Sequence, residues 1–360
     1  MNQRTMKKRW NAGLGLGALA LILGLMVLSG CSDDEDDEAE IDARETHLRC
    51  GEERPEGVAP APELRAYSGG ECPSIEPGFN TIESSGEERE FLLIAPEDWD
   101  GDTPLPTIVM WHWLQGTAQS FADQGELQKA ANQVGFMAII PESKDGAAFQ
   151  WPFTTGSGDT PERIQEEVTF FDDMLACSSQ AYEIDRECIS SAGISAGALW
   201  TSQLIQHRSD TLANFVALSG GVGPGEDDDV DDDFTEAIQP WEGAERKIPG
   251  VVLWGGPEDI CFINFEDTSR LLQFGLEDDG HFFLECIHNC AHTEPPTHPA
   301  EGEAPMAAFW EFTLDHPRWV SEGTSPYEHE GIRSDLPDWC GIGIDGADIR
   351  TIDDCGDPDC

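Results

Sequence analysis

Short apolar runs alternate with helical patterns from about residue 80 to about residue 318. Seven of these runs are rich in β-branched and aromatic side chains and are bounded by polar, Gly or Pro residues, which is typical of buried strands. They are Phe91–Ala95, Thr107–Trp111, Phe136–Ile140, Cys188–Ala192, Phe215–Leu218, Val251–Trp254 and His281–Ile287. The alternation predicts an α/β fold in which a mostly parallel central sheet carries helices on both faces.

Two helices are predicted between these strands. Thr160 followed by Pro161 is a typical helix start, and four apolar residues then recur on one helical face: Ile164, Val168, Phe171 and Leu175. This pattern predicts a helix over residues 161–177. A second helix is predicted after Ser195, where few helix breakers occur. We assign residues 76–318 to a single α/β domain, because roughly 240 residues suffice for a full core.

The first thirty residues have the pattern of an export signal. Three basic residues precede an uncharged run from Ala12 to Leu28, which ends in Leu-Ser-Gly-Cys. That junction resembles the lipobox of bacterial lipoproteins, so residues 1–30 are predicted to be a signal peptide and Cys31 the lipidated first residue of the mature chain. The alternative is an uncleaved helical anchor, for which the run is short. Either prediction places the domain outside the cytoplasm, lipid-anchored in the cell envelope or secreted.

The segments that flank the domain at residues 76–318 have no apolar periodicity. Residues 31–75 begin with an acidic run and continue through Pro- and Gly-rich sequence, which predicts a disordered, solvated tether. Residues 319–360 are rich in Asp, Gly and Cys, which predicts an extended tail pinned by disulfides. The membrane, through the N-terminal lipid, is therefore a predicted partner.

The net charge and the number of cysteines indicate the surroundings in which the protein works. The chain has 71 acidic and 20 basic residues, for a net charge of −51, which excludes nucleic acid as a partner and indicates a salty or cation-rich setting. It has 11 cysteines, and those left after lipidation of Cys31 predict a disulfide framework. We predict the pair Cys177–Cys188, because a helix end and the next strand's start come close in an α/β unit. The other pairings stay open.

A nucleophile motif stands between a predicted strand and a predicted helix. The pentapeptide Gly193-Ile194-Ser195-Ala196-Gly197 fits a sharp strand-to-helix turn that presents a strained serine. The structural alternative is a small-residue turn with no chemistry. Because a serine hydroxyl needs a base and the base needs an orienting acid, an acid and a histidine are expected further along the chain.

A candidate acid and a candidate histidine both follow predicted strands that come later in the chain. The strand predicted over residues 251–254 leads into Gly-Gly-Pro-Glu-Asp, which places a carboxylate at the edge of the sheet where catalytic loops lie. We predict Asp259 as the acid and keep Glu258 as the alternative. We predict His292 as the base, with His288 as a structural neighbour.

Two clusters raise the question of metals. The run Cys286, His288, Cys290 and His292 has zinc-ligand residue types but not the CxxC spacing of closed zinc sites, and disulfides are the favoured use of its cysteines. The acidic run 226–233 has calcium-ligand types, but it lacks the spaced Gly of an EF-hand loop, so a solvated loop is favoured. No metal and no cofactor is predicted.

Four segments between about Phe91 and His292 carry a family resemblance: LLIAPEDWDGDTPLPTIVMWHW, GFMAIIPES, IDRECISSAGISAGALW and CAHTEPP. They resemble the exported polyhydroxybutyrate depolymerase and feruloyl or acetylxylan esterase group of α/β hydrolases. The resemblance implies an α/β-hydrolase fold, Ser195 as nucleophile, His292 as base and the carboxylate after Gly-Gly as acid. It also implies two oxyanion donors, one from the turn at Trp113 and the other the backbone N–H of Ala196.

The sequence departs from that group in three places. Trp113 stands where the group usually has Gly, Trp254 stands where it often has His, and one extra residue precedes Asp259. These departures leave the fold inference in place and the substrate open, because the bulky indoles either reshape the pocket or belong to the core.

The predicted function is a monomeric serine esterase that hydrolyses a polymeric ester, either a polyhydroxybutyrate-like polyester or an acylated polysaccharide. A serine peptidase of the same fold is the alternative within the hydrolases, because the same residues cleave amides. A surface lipoprotein that binds without catalysis is the alternative outside them.

Overall fold

A computed structural model describes residues 49–144, 146–147, 149–156, 159–225, 228, 234–351 and 355, and these residues belong to one compact unit. The predicted signal peptide, Cys31 and all of the acidic run 226–233 except Asp228 lie outside the described residues. None of the helices in these ranges combines the length and the hydropathy that a membrane span needs.

The strands all lie where apolar or alternating sequence occurs. In chain order they are β1 (Gly78–Ser84), β2 (Glu87–Ile94), β3 (Leu105–Trp111), β4 (Met137–Pro141), β5 (Ile184–Ile194), β6 (Asn214–Leu218), β7 (Gly250–Trp254), β8 (Ile260–Cys261), β9 (Ile263–Asn264), β10 (Phe283–Ile287) and β11 (Cys340–Ile342). All seven predicted strands are present, and β1, β8, β9 and β11 are additional.

Nine strands form one sheet in the order β1-β2-β4-β3-β5-β6-β7-β10-β11. The six strands from β4 to β10 in this order are parallel, and β1, β2 and β11 join antiparallel at the two edges. Every residue of β3, β4, β6 and β7 is buried. Complete burial explains their continuous apolar sequences, because a parallel sheet is covered on both faces.

Helices cover both faces of the sheet. They are α1 (Ala118–Gln124), α2 (Leu127–Ala130) with a π-helical turn (Ala131–Gly135), α3 (Pro161–Ser178), α4 (Ala196–Arg208), a 3₁₀ turn (Thr235–Ala237), α5 (Phe265–Asp279), α6 (Ala307–Leu314) and α7 (Tyr327–Glu330). Apolar residues of α3, α4 and α5 pack on one face, and those of α1, α2 and α6 pack on the other. The Thr160 side chain caps α3 as predicted, accepting from Arg163 N at 3.3 Å. The predicted mostly parallel α/β sheet with helices on both faces is therefore confirmed.

The segment before β1 differs from the predicted tether. Residues 49–75 contain no helix or strand, but disulfides join Cys50 to Cys188 and Cys72 to Cys177. Asp173 in α3 accepts hydrogen bonds from Ser68 N and Ser68 Oγ, both at 2.7 Å. The tether predicted to extend to residue 75 is therefore attached to the domain from residue 49 onward. It has no apolar periodicity because covalent and charged contacts hold it.

The predicted pair Cys177–Cys188 is wrong. Cys177 belongs to the core on the face of the sheet covered by α3, whereas Cys188 bonds to Cys50, which packs against the core on the opposite face. Cys188 also lies inside β5 rather than at its start. A strand residue that points away from a helix cannot reach that helix's last turn.

The C-terminal segment is held by disulfides, as predicted, but it is not the predicted extended tail: it contains α7, and its Tyr327 and Trp339 are buried in the core. β11 pairs with β10, Cys340 bonds to Cys286, and Cys355 bonds to Cys290. All nine cysteines in the described part of the chain are disulfide-bonded. Because Cys286 and Cys290 form disulfides, they have no thiolates to offer a metal, which removes the zinc alternative.

We expect a tryptic digest of the unreduced protein to identify this connectivity. Arg186 separates Cys177 from Cys188, so cleavage after Arg186 leaves the two cysteines on different peptides. Mass spectrometry should find the Cys177 peptide joined to the Cys72 peptide and the Cys188 peptide joined to the Cys50 peptide. The same digest after reduction is the control and should yield all four peptides separately. A peptide that joins Cys177 to Cys188 would contradict the fold described here.

Candidate active site

Ser195 lies in the tight turn between β5 and α4. Its backbone has φ 54° and ψ −120°, a conformation that L-residues rarely adopt. A Cβ on Gly193 would lie 2.2 Å from the Gly197 carbonyl oxygen, and a Cβ on Gly197 would lie 2.0 Å from the Trp111 carbonyl oxygen. Both glycines of the motif are thus required by close backbone contact, and the turn directs the Ser195 hydroxyl away from the sheet.

His292 lies five residues after the end of β10 and contacts the serine directly. Its Nε2 is 3.0 Å from Ser195 Oγ, and its Nδ1 is 2.6 Å from Asp259 Oδ1. Because a carboxylate oxygen accepts hydrogen bonds, the proton of this contact is assigned to Nδ1, and Nε2 then accepts from the serine hydroxyl. The His292 ring also stacks on Phe265, with centroids 4.5 Å apart and planes at 15°, which fixes the orientation of the imidazole.

The Asp259 carboxylate is fully buried behind the histidine. Its Oδ2 accepts hydrogen bonds from Ser219 Oγ and from Gly255 N, both at 2.7 Å, while Oδ1 is bound to His292. A buried carboxylate needs such donors to compensate for the water that it loses. Glu258, the alternative acid, is exposed.

The loops that carry the acid and the base interlock. Ala291 N donates to Gly255 O at 2.9 Å, and a Cβ on Gly255 would lie 1.8 Å from the Ala291 carbonyl oxygen. Gly256 has φ 82°, and a Cβ at this position would lie 2.6 Å from Asn289 Oδ1. The Gly-Gly pair after β7 is therefore the position at which the loop bearing His292 fits against the loop bearing Asp259.

The two predicted oxyanion donors border the same site. Ala196 is the first residue of α4, where backbone N–H groups have no partner within the helix. Trp113 belongs to the turn after β3, and its carbonyl oxygen accepts from His112 Nδ1 at 2.9 Å. Burial lowers the pKa of His112, so this imidazole is neutral, and Trp151 Nε1 donates to the His112 carbonyl at 2.8 Å. These contacts hold the turn in place.

A cavity of about 490 Å³ opens beside Ser195. Its walls come from the ends of β5, β6 and β7, from the turn at Trp113, from α1 and from the start of α6. The apolar residues among them include Trp113, Phe121, Ile194, Leu218, Leu253, Phe262, Met306 and Trp310. Of the two tryptophans that depart from the resembled group, Trp113 lines the cavity, whereas Trp254 is a fully buried core residue with Arg270 5.1 Å from its ring centroid.

The structure brings the three predicted chemical residues together, and it adds two that the sequence reasoning missed. Ser219 holds the buried carboxylate, and Phe265 stacks on the histidine. His288, predicted as a structural neighbour of His292, lines the cavity. Ser219 follows directly after β6, so the rule that polar residues at the carboxyl ends of parallel strands converge would have found it. Phe265 has no comparable sequence signal.

Comparison with known proteins gives a partial match. No model of a known protein family matches the chain. The oxidized polyvinyl alcohol hydrolase of Sphingopyxis sp. (strain 113P3) is 24% identical over 230 residues, covering 51% of this chain and 62% of that protein. Feruloyl esterase D of Neurospora crassa is 24% identical over 153 residues, covering 42% of this chain and 52% of that protein. The chain thus spans 52–62% of the length of these relatives.

Two solved structures resemble the whole domain. The crystal structure of native pOPH has a TM-score of 0.60 at 17% identity and covers 78% of this chain and 98% of its own. The crystal structure of native sOPH has a TM-score of 0.58 at 20% identity and covers 79% and 99%. At this identity the likeness concerns the fold. The chain therefore has the α/β-hydrolase fold, and the curated proteins that it resembles in sequence are a hydrolase and an esterase.

Proposed function

We propose that this chain is a serine esterase in which Ser195 is the nucleophile, His292 the base and Asp259 the orienting acid. The observation that carries the proposal is that hydrogen bonds link the three side chains beside a cavity. Ser195 Oγ is 3.0 Å from His292 Nε2, and His292 Nδ1 is 2.6 Å from Asp259 Oδ1. The strained backbone at Ser195 and the names of the curated relatives support it.

The mechanism follows from these contacts. His292 Nε2 takes the proton of Ser195 as its Oγ attacks the ester carbonyl carbon, and the carbonyl oxygen becomes an oxyanion. The backbone N–H groups of Ala196 and Trp113 stabilise that charge. His292 then protonates the departing alcohol, which leaves an acyl-enzyme. Water then gives a proton to His292 as its oxygen attacks the acyl carbon. His292 passes this proton to Ser195 Oγ as the bond between Oγ and the acyl carbon breaks, which releases the acid and restores Ser195.

The substrate class that we propose is a carboxylic ester of a polymer, either a polyester or an acylated polysaccharide. The apolar lining of the cavity supports an alkyl or aromatic group next to the scissile bond. Phe262 supports a long apolar substrate, because it lines the cavity and is also 72% exposed at its mouth. A hydrolysis panel with polyhydroxybutyrate, a feruloylated sugar, acetylated xylan and oxidized polyvinyl alcohol distinguishes the candidates, and a peptide in the panel tests the peptidase alternative.

We propose further that the protein is exported and anchored by a lipid on Cys31, as a monomer. The disulfides support export, because such bonds persist in oxidising compartments. The Leu-Ser-Gly-Cys junction supports lipidation.

Replacing Ser195 by Ala is expected to lower the rate on a short-chain nitrophenyl ester by at least about 10³-fold, because the nucleophile is lost. Ser202→Ala is the matched control, since it removes a buried hydroxyl from α4, the helix that follows Ser195, and that hydroxyl contacts none of the three residues. Its rate should stay within a few-fold of the original. A fluorophosphonate should label Ser195. Labelling of another serine, or an active Ser195→Ala variant, would refute the assignment.

Asp259→Asn is expected to lower kcat by up to about 10⁴-fold, because an amide at this position permits the wrong imidazole tautomer. Glu258→Gln changes the adjacent exposed carboxylate in the same way and should have little effect. Both variants should be compared at neutral pH after circular dichroism has shown that they are folded. The reverse order of effects would assign the acid to Glu258.

Cys31→Ala is expected to abolish lipid attachment, because the thiol that carries the diacylglyceryl group is absent. Intact-mass measurement of the membrane fraction should show a lipid-bearing mature chain for the original protein and an unprocessed precursor for the variant. A mature N-terminus at any other residue would refute this proposal without affecting the esterase proposal.

A further inference from the structure

His288 is a buried polar residue at the wall of the cavity. It follows the end of β10 directly, and it lines the cavity together with Ser195 and His292. Its side chain is 0% exposed, and neither ring nitrogen has a hydrogen-bond partner among the residues that the structure describes. Buried polar groups are nearly always paired, so two unpaired nitrogens on one ring require an explanation.

The surrounding structure holds His288 firmly in this position. Its backbone N donates to Trp254 O at 3.1 Å, and Trp339 packs against the ring edge-to-face with centroids 6.0 Å apart. Disulfides at Cys286 and Cys290 attach the chain on both sides of it to the C-terminal segment. These contacts fix the position of the ring at the wall of the cavity.

The charge state of His288 limits the chemical groups that can form a hydrogen bond with its ring. Burial lowers the pKa of His288 to about 4, with Arg350 and His292 acting in the same direction and Asp259 opposing them. The ring is therefore neutral near pH 7, with one nitrogen that donates and one that accepts. A carboxylate would find no positive charge there. A hydroxyl group, which donates and accepts as well, is the matching partner.

We propose that His288 is a specificity-determining residue that hydrogen-bonds a hydroxyl group of the ester in the cavity. The inference rests on the proposed esterase function. The cavity also has apolar wall residues, including Ile194, Leu218 and Leu253, and these accept the alkyl part of the substrate. An ester whose alkyl chain carries a hydroxyl at the right distance pairs the imidazole, whereas an alkyl chain of equal size leaves it unpaired. The enzyme thus prefers hydroxylated esters.

Isosteric substrate pairs test this preference. Nitrophenyl esters of ω-hydroxyalkanoic acids with three to six carbons are each compared with the alkanoate in which a methyl replaces the hydroxyl. Esters of butanoic acid with 2-hydroxyethanol and with propanol form a second comparison, in which the hydroxyl is on the alcohol side. We expect kcat/KM for the hydroxylated member to exceed that of its partner by about tenfold or more in at least one pair, since the partner leaves a buried polar group unpaired.

Three variants then locate the source of the preference. His288→Leu should abolish it, while His288→Gln should retain part of it, because a neutral amide also donates and accepts. His281→Leu is the matched control. It replaces another buried histidine, at the other end of β10, whose Nδ1 donates to Ile248 O at 2.9 Å and which lies outside the cavity; its preference should equal that of the original protein.

The outcomes separate this inference from the function on which it rests. A preference in the original protein that His288→Leu loses and His281→Leu keeps supports the proposal. Equal hydrolysis of both members in every pair, or a preference that His288→Leu and His288→Gln leave unchanged, overturns it while the esterase function stands. If the folded protein hydrolyses no ester in either set, the esterase proposal fails and this inference fails with it.

Discussion

The site depends on one buried charge, the carboxylate of Asp259. It has no contact with solvent, and its donors come from the three loops that follow β6, β7 and β10. Each donor compensates for water that the carboxylate has lost, so the three loops must converge for the fold to be stable. That convergence also brings His292 to Ser195, which the turn after β5 presents separately. The contacts that stabilise the buried carboxylate therefore also produce the geometry that we propose for catalysis.

Outside the site, the fold must remain stable against repulsion between its many acidic side chains. A net charge of −51 disfavours a compact state through self-repulsion, and the structure opposes this with covalent links and with buried pairs. Arg89 and Arg163 both contact the buried carboxylate of Glu167, and Arg208 binds Asp172 at 2.6 Å. Disulfides join the segment before β1 to β5 and to α3. Two more join the C-terminal segment to β10 and to the loop after it. Because the disulfides span between 54 and 138 residues, each removes much of the freedom of the unfolded chain.

Sequence patterns predicted the central sheet well because its strands are buried on both faces and hence continuously apolar. They also brought Ser195, Asp259 and His292 to one edge, since strand order along the chain and the rule for parallel strands suffice for that. They missed β1, an edge strand with alternating polar residues, and α6, whose first turn follows Met306 without a side-chain cap. The predicted disulfide partner of Cys177 was wrong because sequence spacing does not show toward which face of the sheet a side chain points. The environment of His288 was hidden because it depends on residues 339 and 350, far along the chain.

The covalent attachment of the C-terminal segment sets an order of assembly. The loop with His288 and His292 is flanked by Cys286 and Cys290, whose partners are 54 and 65 residues further along. Synthesis from the N-terminus delivers those partners late, so the loop lacks its two disulfides while most strands of the sheet have already been made. Both disulfides therefore close only after residues 340 and 355 have been made and an oxidant is present. The wall of the cavity that carries His288 and His292 is thus among the last parts of the domain to be covalently fixed.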